Sequence, residues 1–246
     1  TPDDHRLWLH QTAHFSAWYR TLAPDLAGYG RSPAVGAGVT LEDQAEACWQ
    51  AIDRVTSEPV ILHGNSMGGG VARVMVLARP QRVAALILSG TGYRPDGAAI
   101  QLAWKKRYEQ EGIALRHHQV LDHFSEKARH WPLVQHYARM IVALDNEGTL
   151  ASIIAMNQAL QVPDSDEFYA ALDAPTLIIS GDADRNHQAA IDLQKYIKGS
   201  VFRTIAGAGH AVMQESTWEY DRYSIEFLSD LGLWTPETRN YQLEWR

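Results

Sequence analysis

Two rhythms of apolar residues alternate along the chain. The first is short and continuous: "PVILH" at 59–63, "VAALILS" at 83–89 and "TLIIS" at 176–180, with a fourth, mixed run at 201–205. Continuous runs of this length predict strands buried on both faces, as in a parallel sheet. The second rhythm is helical. Leu41, Ala45, Cys48, Trp49 and Ile52 recur on one face after Thr40, and Asp43 stands where its side chain can answer the free amide at that cap. Val71, Val74, Met75 and Ala78 predict a helix over 67–79, stopped by Pro80, and a last helix is predicted over about 218–231. Residues 19–25 read as a further short strand leading into the glycine-rich turn "DLAGYGRS". Strands alternating with helices imply an α/β fold whose mostly parallel sheet is covered by helices on both faces.

One interval breaks the alternation. Between Thr91 and Asp173 helical patterns follow one another, at about 98–110, 114–124, 132–144 and 150–160, and no strand stands out. The expected organisation is a core formed by 1–90 and 174–246, with 91–173 inserted as a helical cap.

Composition narrows the range of partners. The 246 residues are 46% hydrophobic, ample for a sizeable core, and carry a formal net charge of −7. That balance argues against nucleic acid or an anionic membrane and leaves a small-molecule substrate. No apolar run approaches the roughly 18 residues of a membrane span. The opening "TPDDHRLWLH" has no signal-peptide pattern, and the single Cys48 fits a reducing compartment, so the cytoplasm is expected. Cys48 itself lies on the apolar helix face, where it reads as core packing and not as a nucleophile. Oligomeric state has no signal in the sequence.

Candidate chemistry is concentrated in "ILHGNSMGGG". Gly64-Asn65-Ser66-Met67-Gly68 fits G-x-S-x-G between a predicted strand and a predicted helix. In that context a serine occupies a strained turn that projects its hydroxyl outward. Glycines two residues to either side are expected to let neighbouring backbone approach without a β-carbon in the way. The Met67 amide, at a helix N-terminus, can bind a developing oxyanion. A passive serine in a glycine-rich turn is the bland alternative. A serine hydroxyl also needs a base, and the base an orienting acid. Asp182 and Asp184 in "IISGDADRN" and His210 in "IAGAGHAVMQE" stand at later strand ends. Loop aspartates commonly cap turns and loop histidines are commonly only solvated. The order Ser, Asp, His, each at a strand end, is what points to hydrolysis.

These segments resemble the α/β-hydrolase superfamily over nearly the whole chain. "DLAGYGRS" is similar to its glycine-rich turn, "GNSMGG" to its nucleophile elbow, "PTLIISGDAD" to its acid loop and "GAGH" to its histidine loop. "GNSMGG" is especially similar to the meta-cleavage-product hydrolases. The resemblance implies Ser66 as nucleophile, His210 as base and Asp184, three residues after Gly181, as the acid ahead of Asp182. It implies hydrolysis of a carboxylic ester or lactone, with carbon–carbon cleavage of the meta-cleavage type as runner-up. A low-turnover ligand receptor on the same fold is a reading of another class. No cofactor is expected, since no nucleotide or metal motif appears. The family's strand ending in His-Gly, whose loop gives a second oxyanion donor, is not recognisable, and an N-terminal piece of the family pattern is expected to lie outside this sequence. The tail "NYQLEWR" extends past the usual final helix.

Inside the expected cap, Trp104, Tyr108, Trp131, Tyr137, Met140 and Met156 could line an apolar pocket over Ser66, although each taken singly fits core packing as well. His117, His118, His123, His130 and His136 form no metal-binding pattern and read as solvated helix faces.

Overall fold

The computed structural model describes residues 3–161 and 165–235. Strands β1 (Val60–Asn65), β2 (Val83–Ser89), β3 (Thr176–Gly181) and β4 (Val201–Ile205) form a fully parallel sheet in that order. Leu62 lies opposite Leu86, Leu88 opposite Ile178, and Ile178 opposite Phe202. Helices α1 (Leu9–Phe15) and α2 (Leu41–Asp53) precede β1, and α3 (Met67–Ala78) joins β1 to β2. Five helices lie between β2 and β3: α4 (Gly97–Glu111), α5 (Leu115–Leu121), α6 (Pro132–Val142), α7 (Glu147–Ala159) and α8 (Asp166–Ala170). Helix α9 (His187–Tyr196) joins β3 to β4, and α10 (Val212–Glu215) and α11 (Thr217–Asp230) follow. None of the described helices is long and apolar enough to cross a membrane.

Alternation along each strand divides the core. Ala85, Ile87, Leu177 and Ile179 face one cluster, which contains Tyr220 and Phe227 of α11 and Val134, Tyr137 and Ile141 of α6. Leu86, Leu88 and Ile178 face the other, with Trp49 of α2, Val71 and Met75 of α3 and Leu193 of α9. Successive side chains on a strand point to opposite faces, so a sheet covered on both must be apolar throughout. That is why "VAALILS" is continuous. Helix α2 starts as expected: Asp43 N–H donates to Thr40 Oγ1 at 3.1 Å and Thr40 N–H to Asp43 Oδ2 at 2.9 Å. Cys48 is buried in its core face, and burial pushes the thiol up to about 11, which keeps it protonated and inert.

Residues 19–25 correct an expectation. They form no strand, and β1 is an edge strand among the described residues. A cavity of about 770 Å³ lies between Tyr19–Leu26 and the free edge of β1, walled also by Leu7, Phe15 and Ile52. A strand is defined by a hydrogen-bonded neighbour, and among the described residues this segment has none. The tail beyond residue 235 lies outside the described residues.

All four strands run the same way, so their C-terminal ends share one edge of the sheet. Ser66 follows β1, Gly90 follows β2, Asp182 to Asp184 follow β3, and the loop carrying His210 follows β4. Parallel topology makes that edge the place where distant segments meet.

Candidate active site

Ser66 caps α3 with φ +53° and ψ −117°, and among the described residues it is the only non-glycine with positive φ. Such a backbone costs about 1–3 kcal/mol and persists only where its surroundings impose it. Here the constraints are visible. Ser66 N–H donates to Ser89 O at 2.8 Å, and Ser66 O accepts from Gly69 and Gly70 N–H. A β-carbon on Gly64 would come within 2.7 Å of Gly68 O, so this glycine is required. Gly68 corrects the symmetrical expectation: a β-carbon there would meet nothing within 4 Å. The Met67 amide, first in α3, has no acceptor within its own helix.

Asp184 and His210 meet across the edge of the sheet. His210 Nδ1 and Asp184 Oδ2 are 2.9 Å apart, and the other carboxylate oxygen accepts from Asn186 N–H at 2.9 Å. Burial alone would raise the Asp184 carboxyl. The charge and hydrogen bond of His210, with the Asn186 amide and the charge of Arg185, outweigh it and hold the group below its ordinary value. Asp182 is exposed and does something else: its Oδ1 accepts from Gly207 N–H at 2.6 Å, propping the histidine loop. Gly90, at φ +56°, is the point of convergence. A β-carbon there would come within 2.6 Å of Asn65 Oδ1 and 2.9 Å of His210 Cε1, which sets the imidazole beside the residue preceding Ser66. Among the described residues the Ser66 hydroxyl makes no hydrogen bond, to His210 or otherwise. In unliganded sites the bond between nucleophile and base is often long and tightens around substrate.

The expected pocket residues separate into groups. Trp104, Tyr108 and Met156 share a cluster with Met67, over the elbow. Tyr108 and Met156 are fully buried there, the Tyr108 hydroxyl donating to Gln119. Tyr137 and Met140 belong instead to the cluster beneath the sheet, and Trp131 is 39% exposed and joins neither. The glycine-rich turn closes on α7: Val35 N–H donates to Ser152 Oγ at 2.9 Å, and a β-carbon on Gly28 would strike Ser152.

Asn186, Arg94 and His123 had no adequate signal in the sequence. Asn186 donates to Gly90 O at 3.1 Å and lies 3.4 Å from His210 Nδ1, stitching the acid loop to the end of β2. Arg94 donates to its side-chain oxygen. His123 is the correction among the cap histidines: it is buried, its ring centroid 5.2 Å from that of His210 and its Nδ1 3.6 Å from Asp3 Oδ2. Burial pulls its imidazole down to about 4, so it stays neutral beside His210 at neutral pH. Separately, Asp4, His5 and Asp25 have ligand atoms within 4.8 Å of one another. Arg6 occupies Asp4, and His5 and the Arg31 amide occupy Asp25, so this group is internally satisfied.

A strained serine at a strand–helix turn and a buried Asp–His pair on one edge of a parallel sheet define a class of α/β enzyme. The chain belongs to the alpha/beta hydrolase fold family, whose model matches residues 2–217, and it is a hydrolase. It is 27% identical over 227 residues to a 2-hydroxy-6-oxononadienedioate/2-hydroxy-6-oxononatrienedioate hydrolase of Cupriavidus pinatubonensis, a match covering 87% of this chain and 78% of that one. It is 38% identical over 96 residues to the lipase LipV of Mycobacterium tuberculosis, a match spanning 39% of this chain and 36% of the lipase. A thermophilic esterase from Thermogutta terrifontis superposes with a TM-score of 0.81 at 26% identity, covering 94% of this chain and 87% of the esterase.

Proposed function

We propose that the protein cleaves a carboxylic ester or lactone of a small to medium apolar molecule through an acyl-enzyme on Ser66. The observation that carries the reading is the buried Asp184–His210 pair beside an elbow whose serine is held in a strained backbone. Ser66 Oγ adds to the substrate carbonyl carbon while His210 Nε2 takes its proton. The carbonyl oxygen becomes an oxyanion held by the Met67 N–H at the start of α3. Collapse expels the alkoxide, which takes the proton from His210 and leaves as an alcohol. Water, deprotonated by the same imidazole, then adds to the acyl-enzyme, and the acid is released with Ser66 regenerated. Asp184 remains ionised throughout and fixes the imidazole so that Nδ1 carries a proton towards it. Half-buried Trp104, packed on the cluster that contains Met67, favours a substrate with an apolar portion. The esterase likeness supports ester cleavage.

Turnover of p-nitrophenyl esters of increasing chain length tests this. Sustained multiple turnovers, abolished in Ser66→Ala, are expected. A single slow acylation without turnover would instead indicate a receptor. Carbon–carbon hydrolysis is the second reading, favoured by "GNSMGG" and by the likeness to the Cupriavidus enzyme. A vinylogous 1,5-diketone acid cleaved much faster than any ester would establish it.

A further inference from the structure

Glu215 joins the two halves of the site. It ends α10, and its carboxylate accepts three hydrogen bonds, all from uncharged donors. Oε2 accepts from Gly209 N–H at 3.0 Å and from Ser125 N–H at 2.9 Å, and Oε1 accepts from the Ser125 hydroxyl. Gly209 directly precedes His210. On its other side, Ala211 N–H donates to His123 O at 2.7 Å. Both amides flanking His210 are thereby committed to residues 123–125, the segment between α5 and α6. The approach is close: a β-carbon on Gly209 would come within 2.5 Å of Ser125 N and 2.7 Å of Phe124 C. Ser125 is itself buried, and its hydroxyl accepts from Ala128 N–H at 3.2 Å, fixing the turn that receives Glu215.

We infer that Glu215 is a positioning residue for His210, and that through it the helices inserted between β2 and β3 set the geometry of proton transfer. The inference rests on reading Ser66, Asp184 and His210 as the catalytic set. The loop after β4 has little of its own to hold it. Gly207 stands at φ +73° and Gly209 has no side chain. Its first half is anchored to the acid loop, by Ala183 N–H to Ala208 O and by Gly207 N–H to Asp182 Oδ1. Its second half, where His210 sits, is anchored by Glu215 and by the His123 carbonyl. A base that must meet the Ser66 hydroxyl loses about 100-fold in rate when misplaced by about 1 Å. Removing Glu215 frees three donors at once, two of them backbone amides, and lets the imidazole drift without touching the apolar cluster of Trp104 and Met67. Turnover and substrate binding should therefore separate.

The test compares Glu215→Ala, Glu215→Gln and Glu215→Asp by steady-state hydrolysis of an aryl ester and by the rate at which a fluorophosphonate labels Ser66. Glu215→Ala is expected to lose about 10- to 100-fold in kcat and in labelling rate with KM within about twofold. Glu215→Gln should keep most of the activity. Its amide oxygen can accept both N–H groups, and its NH₂ can donate to Ser125 Oγ. Glu215→Asp keeps the charge but falls one methylene short of spanning Gly209 and Ser125, and should be slower than Glu215→Gln. This last comparison stands even if Glu215→Ala does not fold. Native-like kcat in folded Glu215→Ala, or Glu215→Asp at least as active as Glu215→Gln, would overturn the inference. A fall in the folded fraction alone, with kcat per labelled site unchanged, would also overturn it, since that marks a purely structural role. If the native protein itself resisted the fluorophosphonate, the catalytic reading would fall and this inference with it. Labelling of the native protein and Glu215→Ala at equal rates would remove only the inference.

Discussion

Asp184 and His210 form a pair 2.9 Å apart whose side chains are 1% and 6% exposed, while Asp182, two residues earlier, is turned outward to hold the Gly207 amide. The two aspartates should therefore respond differently to the same substitution. Asp184→Asn is expected to cost roughly 1,000-fold or more in kcat, because an amide no longer fixes the tautomer or stabilises the imidazolium. Asp182→Asn should cost less than tenfold. Ser66→Ala and His210→Ala should be as severe as each other. Steady-state kinetics on an aryl ester decides, and a larger loss at Asp182 would reverse the assignment.

Acid should weaken the fold through a buried histidine. His123 has its imidazole pulled from 6.5 to about 4 by burial. Between those values the unfolded chain binds a proton that the folded chain refuses, so stability falls as pH falls through this window and is fully retained above it. The size is roughly 2–4 kcal/mol for one group shifted this far. Urea unfolding at pH 7 and at pH 4.5 measures it. His63 is pulled down to about 4 by burial as well, so His123→Asn should remove roughly half of the difference, and an unchanged slope in that variant would show that other groups carry it.

The elbow glycines are unequal. Gly64→Ala drives a β-carbon to within 2.7 Å of Gly68 O and of Gly69 Cα, both backbone atoms that cannot swing aside. A loss of about 1–3 kcal/mol is expected. Gly68→Ala meets open space within a helix, where alanine is favoured by about 1 kcal/mol. Its melting temperature should hold or rise. Equal destabilisation by the two substitutions would contradict the geometry.

Trp104 and Trp131 offer a similar contrast in the inserted helices. Trp104 packs against the cluster that contains Met67, with the guanidinium groups of Arg107 and Arg185 at 4.9 Å and 5.5 Å from its ring centroid, whereas Trp131 belongs to none of the apolar clusters. Trp104→Ala should raise KM for long-chain and aryl esters several-fold and leave acetate esters nearly unaffected, while Trp131→Ala should change neither. Identical KM values across ester sizes in Trp104→Ala would place the acyl group elsewhere.

Amide exchange should rank the strands. β2 has a neighbour on both sides, and Leu86, Ile87 and Leu88 are fully buried. β1 has one neighbour and borders a cavity of about 770 Å³. Amides of β1 on its free edge should exchange roughly 100-fold faster than those of β2, because they open without breaking the sheet. Equal protection would mean that the edge is covered in solution.

What could be read from the sequence was local or periodic. Continuous apolar runs placed β1 to β3, and a mixed run placed β4, to within about two residues, and the capping pair Thr40 and Asp43 marked the start of α2. The order of Ser66, Asp184 and His210 was legible because parallel strands send their ends to one edge. What was missed depends on neighbours far away in the chain. Residues 19–25 have a strand-like pattern, yet a strand needs a partner that local composition does not reveal. His123 looked solvated because its companions, Asp3 and His210, are remote in sequence. The bonds from Glu215 to Ser125 span 90 residues and leave no local trace. Helix α9 buries only Ala190 and Leu193, too few positions to stand out as a period.

The backbone of Ser66 sets stability against chemistry in a way that laboratory evolution would expose. Glycine tolerates φ +53° without a β-carbon to strain, so Ser66→Gly should raise the urea midpoint while leaving the protein inert. Populations of this gene selected for heat resistance alone would drift towards that substitution, and only a screen that also demands turnover would retain the hydroxyl.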